Sequence, residues 1–153
     1  MKKTITYLSL ICALFVQLAL FADDGSNSIN WYTNYENALA DAQKNNKPIF
    51  ILFEGSDWCY WCQKLDKEVL NTTQFANMMA DKMVFVKMDF PMKNPLPQDQ
   101  AEYNDQIRTK FGVEGYPSVV ILNSNGNRLA NMGYMPGGAA NYADHVMAVI
   151  NNR

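Results

Sequence analysis

Histidine is almost missing from this chain and cysteine is scarce: one of the first and three of the second among 153 residues. A structural zinc site takes about four such ligands, commonly as two paired clusters. That scarcity argues against a zinc framework. Basic clusters are missing as well. Lysine and arginine number 13 against 15 acids, and they never gather into the patch or stripe that a nucleic-acid partner requires. No second long apolar run follows the first, and no internal repeat or low-complexity tract appears. The nine methionines are scattered, which fits core filler better than a copper site.

What is present begins with "MKKTITYLSLICALFVQLALFADDG". Two lysines, a long apolar stretch and then acids follow the order of a secretory signal peptide. Cleavage is expected after Ala22, although Leu20 is larger than the alanine preferred three residues before a cut. Residues 1–22 are then the leader and residues 23–153 a single domain. An uncleaved membrane anchor is the competing reading, because the run from Thr4 to Ala22 is long enough to span a bilayer. Loss of Lys2 and Lys3 takes the formal net charge from −2 to −4. Cys12 leaves with the leader, so the exported chain keeps only Cys59 and Cys62. A bridge between those two closes a very small loop, and the loop-entropy gain shrinks with loop length. They are not a staple for a domain of this size.

Hydrophobic periodicity lays out alternating helices and strands, an α/β pattern with a hairpin at one edge. Thr33 and Glu36 have the spacing of a capping box, and Tyr35, Ala38, Leu39 and Ala42 then share one helical face. "IFILF" (49–53) is a short, continuous apolar run, suited to a strand buried on both faces. From Cys59 onward the spacing is helical: Cys62, Leu65 and Val69 fall on one side, Lys64, Lys67 and Glu68 on the other. "TTQFANMMADK" reads as further helix, "MVFVKMDF" (83–90) as a second strand. "PMKNPLPQDQ" holds three prolines in seven residues and reads as a rigid exposed loop, followed by the helical "QAEYNDQIRTKF". "SVVIL" (118–122) and "RLANMGY" flank the turn "NSNGN" as a hairpin. The last helix, Gly138 to Asn152, buries Ala139, Ala143, Val146, Met147 and Ile150. His145 lies opposite that stripe and reads as solvated.

The chemistry gathers at "SDWCYWCQKLDKEVL" (56–70). Cys59 falls at a helix N-terminus, where unpaired N–H groups and the helix dipole favour a thiolate. Cys62 lies one turn further in, on the apolar side. An exposed attacking thiol beside a sheltered resolving thiol is what thiol–disulfide exchange needs.

At "FEGSDWCYWCQKL", "KFGVEGYPSVVIL" and "NSNGN…MGY" the sequence resembles the thioredoxin superfamily, over nearly all of Trp31 to Asn152. That resemblance implies a thioredoxin-like α/β fold: a central mixed sheet of about four to five strands flanked by helices. It implies Cys59 and Cys62 as the catalytic pair and Pro117 as the family's cis-proline. The Tyr116 backbone should face the cysteines and pair with an extended substrate, and Trp58, Tyr60 and Trp61 should rim the site. Many thioredoxins keep a buried acid before the site, paired with a lysine, to move protons for the buried cysteine. Lys87 matches the lysine. Phe53 stands where the acid is expected, with Glu54 next along and expected to point the other way, so Glu54 or Asp57 is the candidate substitute. The 91–97 loop is longer than usual for thioredoxin and reads either as a substrate surface or as a tolerated insertion.

The dipeptide Tyr60-Trp61 brings no positive charge to steady the Cys59 thiolate, and Asp57 opposes it. The expected potential lies toward the reducing end, about −270 mV, rather than the oxidising end near −120 mV. With the export signal, "GSDWCYWC" further resembles the DsbH-type periplasmic disulfide reductases. That resemblance implies a periplasmic reductase of disulfides in exported proteins, with a membrane thiol transporter as electron donor; no cofactor, metal or nucleic acid is expected, and the acidic, moderately polar chain is expected to be a monomer. Three alternatives stay open: an oxidase or isomerase of the same fold, a binding module or chaperone with incidental cysteines, and a thiol supplier to cytochrome c maturation. The ending "VINNR" carries no ER-retention signal, which disfavours a eukaryotic isomerase.

Overall fold

A computed structural model of the protein describes residues 28–152. The leader, the expected cleavage after Ala22 and Cys12 lie outside them. The apolar run becomes the central strand β2 (Ile49–Glu54), buried along its whole length. Around it stand β1 (Trp31–Tyr32), β3 (Val84–Asp89), β4 (Ser118–Leu122) and β5 (Arg128–Met132), in the sheet order β1-β3-β2-β4-β5. β3 runs parallel to β1 and to β2, whereas β4 is antiparallel to β2 and to β5. The sheet is therefore mixed, and the hairpin lies at its edge. Both expectations hold.

Period-2 alternation sorts the strand side chains onto two helical layers. Phe50, Leu52, Val119 and Ile121 face a layer containing Leu65, Val69, Phe75, Tyr142 and Val146. Ile49, Ile51, Phe53, Val120 and Leu122 face the other, with Tyr35, Ala38, Ile107 and Phe111. The first layer comprises α2 (Tyr60–Leu65), α3 (Thr73–Met79) and α5 (Gly138–Asn151); the second comprises α1 (Tyr35–Asn45) and α4 (Gln98–Lys110). Among the described residues no helix is long and apolar enough to cross a membrane.

Several local expectations need correction. Trp31–Tyr32 form a strand where none was expected, because pairing with Phe85 and Val86 extends the sheet edge. Asn34, rather than Thr33, caps α1, its side chain accepting from the Asn37 amide at 2.8 Å. Glu36 is thereby free to receive the Tyr103 hydroxyl. The helix carrying the cysteines widens into a π-helical turn over Asp66–Leu70. Tyr142 is fully buried in α5, its hydroxyl donating to the Gly133 carbonyl at 3.1 Å, while Met147 is only partly covered. His145 is exposed.

Candidate active site

The turn after β2 builds the site. Gly55 accepts the amides of Trp58 and Cys59 at 3.3 and 2.8 Å. A Cβ at Gly55 would run into the Trp58 indole, so the absent side chain is what seats the ring. Asp89 at the end of β3 receives the Ser56 amide at 2.9 Å and its hydroxyl at 2.6 Å. The Gln63 side chain closes the turn by donating to the Ser56 carbonyl at 3.1 Å.

Cys59 is the N-cap of α2, and its sulfur accepts the Cys62 amide at 3.2 Å. The two cysteines form a disulfide with their Cα atoms 5.2 Å apart. The sulfur earlier in the chain sits at the helix start, where a released thiolate meets backbone donors. Cys59 keeps 7% of its surface accessible and Cys62 1%. The expected asymmetry is present, but Cys59 is more covered than the expectation of an exposed attacker, its sulfur being joined to that of Cys62 in a segment rich in aromatic side chains.

Those aromatics form two flanks. On one side the Trp58 indole N–H donates to the Phe90 carbonyl at 2.8 Å. Its ring meets Tyr116 edge-on at 5.9 Å, and Phe90 stacks on Tyr116 at 5.1 Å. The Tyr116–Pro117 peptide bond is cis. On the other side Tyr60 meets Trp61, and Trp61 meets Tyr134, each pair 5.2 Å apart. Lys64 reaches over Trp61 and Tyr134 at 5.4 and 5.3 Å, and the Tyr134 hydroxyl donates to Glu68 at 2.6 Å. Trp61, Tyr116, Pro117 and Tyr134 line an open groove of about 570 Å³. The sequence expectation placed Trp58, Tyr60, Trp61, Tyr116 and Pro117 around the cysteines. It missed Phe90, Lys64 and Tyr134, although Tyr134 ends the quoted "MGY".

Beneath the turn lies a buried charge cluster. Glu54 shares the face of Phe50 and Leu52, toward the helix that carries the cysteines, and so points the other way from Phe53, as expected. Alternation along β2 requires it: Phe53 belongs to the opposite layer. The Glu54 side chain is 1% exposed and its Oε1 lies 2.9 Å from Lys87 Nζ. Burial raises the Glu54 carboxyl to about 7, against the lowering by Lys87, with Asp66 and Asp89 raising it further. Burial also raises Asp66, a neighbour that sequence reading did not single out. For Lys87, burial works to lower the ammonium's pKa, but Glu54, Asp66 and Asp89 together outweigh it and the net shift is upward.

Asp57 is placed apart from this cluster. Its carboxylate accepts the backbone amides of Met92, Lys93 and Asn94 at 2.9, 2.7 and 3.0 Å. Those bonds, led by Met92, hold its carboxyl below the usual range.

A five-stranded mixed sheet with CxxC opening a helix defines the class: this is a thioredoxin-like thiol–disulfide oxidoreductase. A thioredoxin from Thermus thermophilus shares the fold, with a TM-score of 0.59 at 20% identity over 80% of this chain and 88% of that one. Within the class, residues 18–152 match the model of the family Thioredox_DsbH, described as "Protein of unknown function, DUF255". The chain belongs to that family. It is 34% identical over 126 residues to the disulfide bond reductase DsbH of Chlamydia pneumoniae, covering 82% of this chain and 75% of that protein. A solved structure of a DsbH oxidoreductase aligns with a TM-score of 0.76 at 34% identity, over 82% of this chain and 87% of that one.

Proposed function

We propose that this protein is an exported reductase of protein disulfides, working in the periplasm. The observation that carries the reading is the position of Cys59 as the cap of α2, with Cys62 one turn behind it and more deeply buried. In the reduced protein the Cys59 thiolate attacks a substrate disulfide and forms a mixed disulfide, releasing one substrate thiol. Cys62 then attacks the Cys59 sulfur, releasing the second thiol and leaving the protein oxidised by two electrons. A membrane thiol transporter restores the dithiol from the cytoplasmic side. The leader of residues 1–22 supplies export, and the chain acts as a monomer on disulfide-containing exported proteins.

Trp58, Tyr60, Trp61 and the Tyr116–Pro117 segment receive the substrate chain around Cys59. Glu54 and Lys87 handle the proton of Cys62: a carboxyl raised to about 7 exchanges protons near neutrality, and Lys87 keeps it from rising further. We assign Asp57 to anchoring the 91–97 loop, since three backbone amides already occupy its carboxylate. The direction of electron flow follows from the lack of any cation between the cysteines; Lys64, one turn on, is paired with Glu68 at 3.8 Å.

Equilibrating the Cys59–Cys62 pair against dithiothreitol and glutathione buffers tests the proposal. A potential near −270 mV supports the reductase, about −120 mV makes the protein an oxidase, and a pair that does not cycle leaves a binding module.

A further inference from the structure

Four large apolar side chains stand exposed among the described residues: Trp58, Tyr60, Trp61 and Met92. Three belong to the CxxC segment. Met92 comes from the proline-rich loop and is 70% exposed. Beside it runs a groove of about 370 Å³, walled by Trp58, Phe90, Met92, Pro95, Leu96 and Tyr116. Asp57, two residues before Cys59, fixes the loop through the three amides of residues 92–94. Trp58, adjacent to Cys59, fixes the other wall by its bond to the Phe90 carbonyl. The segment that carries the reactive cysteine therefore also sets the width of the groove. Tyr116 lines both this groove and the larger one at Pro117.

We propose that this groove is a substrate subsite for a bulky apolar side chain, carried by the polypeptide whose disulfide Cys59 attacks. The proposal rests on the reductase reading above and specifies its substrate class. Exposed apolar surface of this kind marks a contact site. The charged side chain in the lining, Asp89, is already bonded to the Ser56 amide and hydroxyl. A charged guest would find no counter-ion there, and a small polar one would leave the walls wet. An apolar residue within a few positions of the substrate cysteine covers both.

The test uses the pre-reduced protein and two peptide disulfides, each a homodimer of a short cysteine peptide. The peptides differ only two residues before and after the cysteine: leucine in one, serine in the other. The Cys59–Cys62 dithiol supplies both electrons, so each peptide dimer yields two thiols and the protein ends as the disulfide. The rate constant for the leucine peptide is expected to exceed that for the serine peptide by about tenfold. In Leu96→Asp the ratio falls to within about twofold. Met92→Ser, at an exposed position where the fold is not at stake, lowers it by about threefold. Equal rate constants in the wild type, or a preference unchanged in both variants, overturn the subsite. Reduction of neither peptide overturns the reductase reading itself.

Discussion

The two flanks of the cysteine pair are built from similar aromatics and held by different forces. On the Trp58 side the anchors are to backbone, the indole on the Phe90 carbonyl and the Asp57 carboxylate on three loop amides, with the Tyr116 ring packed against Trp58 and Phe90. Trp61 and Tyr134 are held by ring contact, by Lys64 above them and by a hydroxyl on Glu68. Backbone anchors cost little side-chain entropy, whereas long exposed side chains lose rotamer freedom to hold one geometry. The first flank is therefore a fixed wall and the second an adjustable one.

Breaking the fixed wall should produce the largest effect on stability. In Gly55→Ala the new methyl overlaps the Trp58 indole, which must leave its seat and abandon the Phe90 carbonyl. A destabilisation of about 2 kcal/mol is expected, as for other overpacked sites. Urea denaturation measures it, and a shift in tryptophan emission reports the displaced ring. Unchanged stability would mean that this wall is no more fixed than its partner.

The floor shared by both flanks comes next. Between about pH 4.5 and 7 the folded protein holds a proton on Glu54 that the unfolded chain has released. Stability should thus fall as pH rises through that window, by about 1 kcal/mol per pH unit at most. Glu54→Gln removes the titrating group and should flatten the slope, whatever its effect on stability at any single pH. Denaturation midpoints at pH 5, 6 and 7 decide the matter, and a slope that persists in the variant assigns it to another group. Asp66 is the neighbour to examine then.

Loosening the loop should matter less. Asp57→Ala deprives the amides of Met92, Lys93 and Asn94 of their acceptor, and their hydrogen exchange should accelerate about tenfold while the core amides stay protected. Because these bonds hold the Asp57 carboxyl below its usual range, the wild-type loop should keep its order above about pH 4. The order is lost only as pH falls through that lowered value. Exchange in residues 92–94 that is already fast in the wild type would contradict the fixed wall.

How much of this was legible depended on whether a residue answers to its neighbours in sequence or in space. Ile49–Phe53 and Ser118–Leu122 are apolar at every position except Ser118, so burial on both faces declares them as strands. Trp31–Tyr32 has no pattern of its own at two residues and becomes a strand only against Phe85 and Val86. Cys59 and Cys62 were legible because helix-terminal chemistry is local. The Glu54–Lys87 pair was half legible. Lys87 is conspicuous in an apolar strand, but the face of Glu54 depends on which layer takes Phe53. Asp57 read as a turn acid near the cysteines, and its partners lie 35 to 37 residues away. Thr33 and Asn34 are both competent caps, and only the phase of α1 against the sheet selects Asn34.

The adjustable wall should yield the smallest effect. Lys64 and Glu68 are 32% and 40% exposed at a separation of 3.8 Å, a geometry in which water and salt screen most of the attraction. Lys64→Met keeps the alkyl stem over Trp61 and Tyr134 while discarding the charge, and Tm should move by no more than about 1 °C. What should change is the packing of the two rings, because the ammonium above both draws them to one side. Their nuclear magnetic resonances should shift and broaden in the variant, with those of Trp58 unmoved. Coupled changes at Trp58 would show that the flanks act as one unit across Tyr116, and the contrast between fixed and adjustable walls would fail at its weakest link.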